Sequence, residues 1–318
     1  MKKKFIRFCK RFHIIVTVKR RIFALPEKWF RFRLNMRWKL CSVLPGWKGV
    51  SRKSREPELI VSLTSFPARI DTVQHTIRSI LLQSEKPDKV ILWLASGQFP
   101  DGADSLPGDL LALRKYGLTI GWCRDLGSYK KLIPALRKYP EAVIVTADDD
   151  LYYERNWLRI LYEEYKKAPE LVHCHRITQF SLQNGEYTAA GRGKNVSPKA
   201  SFLYKVTGCG GVLYPPHCLS DEIVKEDIFQ KICSTNDDIW FWLMAVSHGV
   251  RISVPEQNIP ALHYVERTQA GPTLSSRNDR GENLFWVQFY NMLEQYPEID
   301  RILRTEQEKL HLADSGCV

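Results

Sequence analysis

The alternation of apolar and polar positions changes character along the chain. Over residues 1–55, Lys and Arg are mixed with Phe, Ile, Val, Leu and Trp, and the longest apolar run, Ile14–Val18, is far too short to span a bilayer. From residue 58 onward, short apolar runs alternate with amphipathic ones. Glu58–Leu63 reads as a buried strand. A helix is predicted from Thr72 to Gln83, with Val73, Ile77, Ile80 and Leu81 on one face. After the breaker Lys86-Pro87-Asp88 comes a strand over Lys89–Leu94, completing a strand–helix–strand unit whose crossover should be right-handed. The alternation continues with a short helix (Asp109–Tyr116), a strand (Leu118–Cys123), a helix from Asp125 to Lys138, and a strand through Val143–Thr146. An amphipathic helix (Arg155–Lys167) and a strand (Leu171–Ile177) follow. Residues 183–200 are polar and glycine-bearing and read as a mobile connection. A strongly apolar helix then runs from Ser234 to His248-Gly249, followed by a strand (Val250–Val254). The loop Thr268–Arg280 and helices near Asn283–Gln295 and Ile299–Leu312 close the chain. Strands alternating with helices predict an α/β domain in which ligands bind beyond the carboxyl ends of the strands.

The unusual residues fall at such ends. Val143–Thr146 runs into Asp148, Asp149 and Asp150. Strand alternation points Asp148 and Asp150 one way and Asp149 aside, and converging carboxylates call for a hard divalent cation. The plainer reading is an acidic turn capping the next helix. The loop Thr64-Ser65-Phe66-Pro67-Ala68-Arg69 offers hydroxyls and a guanidinium to ribose and phosphate, or is simply a turn entering a helix. Lys130 and Lys131, placed at a helix N-terminus against the dipole, suggest a diphosphate, unless both ammonium groups face water. Arg192 and Lys194 could touch phosphate, though a solvated loop explains them. Gly208, Gly210 and Gly211 mark close backbone approach or positive φ. Asn236-Asp237-Asp238 is either a capped helix start or a carboxylate presented at a cleft. His263 is a candidate metal or phosphate ligand.

Charge sharpens the division. Of 47 Lys+Arg, 18 lie in residues 1–55 against one acid, Glu27, so the formal net charge of +12 belongs to that segment. Its mixture of cations and aromatic rings suits an anionic membrane surface. A domain-packing extension and nucleic-acid binding are the other options. No signal-peptide pattern is evident. Eight irregularly spaced Cys do not form a disulfide framework, and His173-Cys174-His175 lacks a second ligand pair for structural zinc, so reduced thiols of a cytosolic protein are expected.

Taken together, Asp148-Asp149-Asp150, Thr64–Arg69, Gly208–Gly211, Asn236-Asp237-Asp238 and His263 resemble the motifs of nucleotide-sugar glycosyltransferases of the GT-A type, more narrowly bacterial ones acting in surface-polysaccharide or lipopolysaccharide synthesis. The resemblance covers about residues 58–265. It implies a GT-A-like mixed, mostly parallel sheet flanked by helices, with a basic extension (1–55), a catalytic domain (56–270) and a C-terminal loop and helices (271–318). It implies a nucleoside-diphosphate sugar as donor and Mn or Mg held by Asp148, Asp150 and His263. Thr64, Ser65, Pro67, Arg69, Lys130, Lys131 and Asp149 would lie on the nucleotide side. Gly208, Gly210 and Gly211 would face a saccharide or lipid-linked acceptor, and Asp237 or Asp238 would be the base of an inverting transfer, Asn236 standing where an acid often does. The expected location is the cytoplasmic face of the membrane, with no nucleic-acid partner. A metal-dependent phosphatase or nuclease, or a non-enzymatic basic-tailed binding protein, are the alternatives.

Overall fold

The computed structural model describes residues 27–53, 55–190, 196, 199–269, 278 and 283–314. Arg192, Lys194, most of the Thr268–Arg280 loop and residues 1–26 lie outside them. The chain divides into two compact units, Met1–Trp47 and Lys48–Val318. In the first, the described part of helix α1 covers residues 27–42 and carries an i,i+4 ion pair, Arg31 to Glu27, at 3.3 Å. No helix of the described residues is long and apolar enough to cross a membrane.

The second unit is built on strand β1 (Leu59–Thr64), whose first five residues are buried. A strand buried on both faces has to be apolar nearly throughout, which LIVSL is. Helix α2 (Val73–Leu81) crosses over to β2 (Lys89–Ala95). One helical turn, α3 (Gly108–Leu111), a 3₁₀ segment and β3 (Leu118–Cys123) follow. The chain then returns through α4 (Ile133–Lys138) to β4 (Val143–Ala147), which pairs with β1 on its free side. Strand order thus runs outward from β1 to β3 and then switches to the other side of β1, the topology that opens a crevice at the strand ends.

Beyond β4 come β5 (Leu151–Tyr152), α5 (Trp157–Lys167), β6 (Val172–Cys174) and the hairpin β7 (Ile177–Gln183) and β8 (Glu186–Ala190). Next are β9 (Ala200–Ser201), β10 (Tyr204–Val206), β11 (Val212–Tyr214), α6 (Glu226–Ile232) and α7 (Asp237–Ser247). β12 (Ile252–Ser253), β13 (His263–Tyr264), α8 (Leu284–Gln295) and α9 (Pro297–Asp314) complete the unit. The main sheet has the order β3-β2-β1-β4-β11-β6-β12-β9, with β11 and β9 running against the other six. This is a mixed, mostly parallel α/β sheet flanked by helices, the GT-A-like arrangement expected.

Two expectations change. Residues 183–190 are part of a hairpin, not a connection, turning at Asn184 (φ 52°) and Gly185 (φ 85°). Those two residues favour a tight primed turn. Lys130 and Lys131 do not start a helix: they end a 3₁₀ segment, Gly127–Lys131, and α4 begins two residues later. The core is continuous across the unit, since α8 and α9 contribute Phe289, Met292, Ile299 and Leu303 to the same cluster as α7.

Candidate active site

Register brings the motifs together. Leu63 of β1 lies beside Ala147 of β4, so Thr64-Ser65 and Asp148 leave the sheet side by side. Val212 of β11 lies antiparallel to Thr146, which sets the preceding glycines against the same end of β4. The acidic triplet follows the last strand residue and occupies a turn. Strand alternation therefore does not govern it, and the three carboxylates take three surroundings.

Asp149 is buried. One oxygen accepts from Ser65 Oγ at 2.6 Å and the other from Arg69 Nη1 at 2.8 Å, while its carbonyl accepts from Thr76 Oγ1 at 2.9 Å. Arg69 also lies 3.0 Å from Asp150 Oδ2, which accepts from Gln269 Nε2 at 2.8 Å. Burial and the neighbouring Asp148 charge push the Asp150 carboxyl up to about 6. Asp148 is the most open of the three, with its side chain 29% exposed. Its Oδ1 meets Lys131 Nζ at 3.0 Å, and its backbone N–H donates to Tyr153 Oη at 2.8 Å.

Lys131 joins this triplet to the second acid pair. It is buried, and Nζ stands 2.8 Å from Asp237 Oδ2 and 3.9 Å from Asp238 Oδ1. Burial alone would lower its pKa, but Asp148, Asp237 and Asp238 outweigh burial and hold it well above the usual lysine value. Its backbone carbonyl accepts from Ser62 Oγ at 2.6 Å, which in turn accepts from Trp93 Nε1 at 3.0 Å, so the sheet fixes where the ammonium sits. Lys130 turns away to Asp125, at 2.5 Å.

At the start of α7, Asn236 is the N-cap, its side chain accepting from Ile239 N–H at 3.3 Å. Asp237 accepts from Ser128 Oγ at 2.7 Å on Oδ1, while its buried Oδ2 has only the ion pair with Lys131 and no hydrogen bond. Asp238 accepts the Gly208 N–H at 2.8 Å on Oδ2, leaving Oδ1 the looser oxygen. Burial raises its pKa despite Lys131.

The glycines answer different needs. A Cβ at Gly208 would fall 2.4 Å from Asp238 Oδ1 and 2.9 Å from Lys131 Nζ. Gly211 has φ +91° and packs against the Trp157 indole, whose Nε1 donates to Gly210 O at 2.7 Å; a Cβ at Gly210 would meet Arg176 at 2.8 Å. Gly208 thus opens onto the acids, whereas Gly210 and Gly211 serve packing. His263 pairs across from Tyr152 in the β5–β13 ladder, and its Nε2 lies 3.5 Å from Glu154 Oε1. With Tyr153, Trp157 and Cys209 it lines a small open depression beside the triplet. Thr64 donates to Trp93 O at 2.8 Å, and Pro67 starts the 3₁₀ turn that aims Arg69. All six described cysteines are free, and His173 and His175 have separate partners, Ala168 O and Trp157 O.

Among the described residues, no group of three or more His, Cys, Asp and Glu could hold a metal ion by itself. Asp148 and Asp150 do offer hard oxygen donors in one turn at the end of β4. That fits a cation of the Mg kind, which takes one or two carboxylates and completes its shell with substrate phosphates. Ser128, Tyr153, Trp157 and Gln269 are site residues that no spacing in the sequence singled out. Ser128 adjoins the lysine pair and Tyr153 follows the triplet, but a lone hydroxyl in a loop carries no pattern.

No family model matches the chain, and no curated protein matches it. Among solved structures it is similar to S. aureus TarS 1-349 in complex with UDP-GlcNAc, with 15% identity over 80% of this chain and 73% of that one and a TM-score of 0.47. It is also similar to a CMP:2-keto-3-deoxy-manno-octonic acid synthetase complexed with CTP, with 13% identity over 65% of this chain and 91% of that one and a TM-score of 0.39. Both scores are below 0.5, so the reading of the site rests on its own geometry.

Proposed function

We propose that the protein transfers a sugar from a nucleoside-diphosphate sugar to a hydroxyl acceptor, saccharide or lipid-linked, with inversion at the anomeric carbon. The observation that carries this reading is the convergence of two acid clusters, Asp148–Asp150 and Asp237-Asp238, on one buried lysine at the strand ends.

Asp148 and Asp150 would hold Mn or Mg, which supplies Lewis-acid neutralisation of the diphosphate oxygens. Arg69 and Ser65 keep Asp149 fixed, so the triplet's other two carboxylates have a rigid base. Asp238 is the acceptor base. Its carboxylate is held by Gly208 N–H on one oxygen only, and its raised pKa makes it a better proton acceptor than an ordinary aspartate. Asp237, engaged by Ser128 and Lys131, positions the lysine. In the transfer, the acceptor hydroxyl gives its proton to Asp238 and its oxygen bonds to the anomeric carbon. The bond from that carbon to the diphosphate oxygen breaks, and its electron pair leaves with the diphosphate. Thr64, Pro67 and Lys130 line the donor side. The basic N-terminal segment places the enzyme on the inner face of an anionic membrane, where lipid-linked acceptors lie.

A thermal-shift series of UDP, GDP and CMP with and without Mn²⁺ tests the reading. One nucleotide at ~100 times its Kd should add ~2.7 kcal/mol, and Asp148→Asn with Asp150→Asn should remove the metal-dependent part. Asp238→Asn should keep that shift and lose roughly 10²–10⁴-fold in turnover. Full turnover in Asp238→Asn, or no nucleotide shift in the wild type, refutes the assignment.

A further inference from the structure

Helix α1 has two distinct apolar sides. At about 100° per residue, Trp29, Phe32, Met36 and Leu40 fall in one stripe about 80° wide, and Val43 continues it just past the helix end. All four helical members are exposed, between 41% and 62%. Leu34, the buried residue of this helix, lies about 140° round from Trp29, so the stripe is not the face the helix buries. Trp29 and Phe32 stack on each other at 5.6 Å, forming one continuous aromatic ridge. The exposed cations Lys28 and Lys39 border one edge of the stripe and Arg33 the other.

We infer that this face of α1 docks in the headgroup layer of an anionic bilayer, lying in the membrane plane, with the stripe inserted and the three cations at phosphate level. The inference deepens the reading that residues 1–55 meet a membrane, and it does not depend on sugar transfer. An in-plane helix needs bulky apolar residues on one side and Lys or Arg at its margins, which is the arrangement here. No helix of the described residues, α1 included, is long and apolar enough to cross a membrane. Charge decides against a second copy as the occupant. Two such stripes laid together would oppose their own basic margins, in a segment where 18 cations accompany one acid. An anionic lipid surface neutralises the same margins, each cation strengthening binding roughly fivefold at low salt.

The test uses the full chain and sedimentation with phosphatidylcholine vesicles, with and without phosphatidylglycerol, at low and high salt. Trp29→Ser/Phe32→Ser/Leu40→Ser should weaken binding to anionic vesicles at least roughly tenfold at both salt levels, because insertion is not screened. Lys28→Gln/Arg33→Gln/Lys39→Gln should weaken binding at low salt and converge on the wild type at high salt. These positions are exposed, and an unchanged melting transition confirms folding. Independently, brominated lipid should quench wild-type tryptophan fluorescence, and Trp29→Phe should remove that quenching while still binding. If the stripe variant sediments like wild type, or Trp29 is not quenched, α1 is not the docking face. If the stripe variant instead turns a dimer into a monomer with vesicle binding unchanged, the occupant is a second copy and the inference fails. If wild type ignores anionic vesicles altogether, the membrane reading of residues 1–55 falls with it. None of these outcomes touches the nucleotide shift, which reports on nucleotide binding alone.

Discussion

A single ammonium decides how the site is charged. Lys131 stands within 4 Å of three carboxylates and is almost wholly buried, so its removal strands negative charge where water cannot compensate. Breaking a buried pair from one side costs about 3–5 kcal/mol. Lys131→Met should therefore lose stability of that order in urea unfolding, and Lys131→Met/Asp237→Leu should recover part of it. A loss below about 1 kcal/mol would mean the carboxylates find other partners. At this scale the sequence was only partly legible. Several of its odd residues, Lys131, Asp148, Gly208, Asp237 and Asp238, come together at the strand ends, because carboxylates, glycines and lysines there break the local pattern. Their roles were not legible. Lys130 and Lys131 are adjacent and chemically identical, and only the Ser62 hydrogen bond to the Lys131 carbonyl settles which one faces the acids. Asp237 and Asp238 likewise separate only once Ser128 and Gly208 are in place.

At the scale of elements, β1 to β4 and α2 lie where the periodicity puts them, since buried parallel strands have to be apolar along their length. The β7–β8 hairpin escaped notice because it sits at the polar margin of the unit, although Asn184-Gly185 is a turn signal. The link from β6 to β7 yields a prediction. His175 is fully buried. Its Nε2–H donates to Trp157 O at 3.0 Å and its Nδ1 accepts from Ile259 N–H at 3.1 Å, so the neutral ring satisfies both the start of α5 and the stretch before β13. Burial lowers its pKa from 6.5 to about 4. The sign follows from linkage. Above 6.5 both folded and unfolded rings are neutral and the stabilisation is whole. Between 6.5 and about 4 only the unfolded ring takes a proton, so folding weakens as pH falls, by about 3 kcal/mol in total. Urea unfolding at pH 7 and pH 4.5 should show this loss in wild type and a smaller one in His175→Gln. Equal losses in the two proteins would show that other groups carry the acid sensitivity.

For the whole molecule, the two compact units suggest two separable properties. The described residues of the candidate site, from Thr64 to Gln269, lie wholly in the second unit. Deleting residues 1–47 should abolish retention on anionic vesicles while leaving the nucleotide-dependent thermal shift within error of the full chain. A truncated protein that no longer responds to nucleotide would show that the first unit helps build the cleft. Charge distribution sets residues 1–55 apart in the sequence, since basicity concentrated in one segment needs no fold to be seen. The boundary was not legible to the residue, because Lys48 to Arg55 are as basic as what precedes them yet fold with the sheet: Lys48 Nζ donates to Lys115 O at 2.6 Å and Arg55 pairs with Glu85 at 2.9 Å.

The sharing of Lys131 between the two acid clusters has a consequence for how this site can change. Under the proposed transfer, donor handling and acceptor activation draw on one positive charge, so a substitution that retunes either end disturbs the other. Variants at Asp148 and Asp238 will not combine additively even though 90 residues separate them. A route to a new sugar has to pass through paired changes, or through the nucleotide side, where Lys130 and Asp125 stand apart from that shared charge.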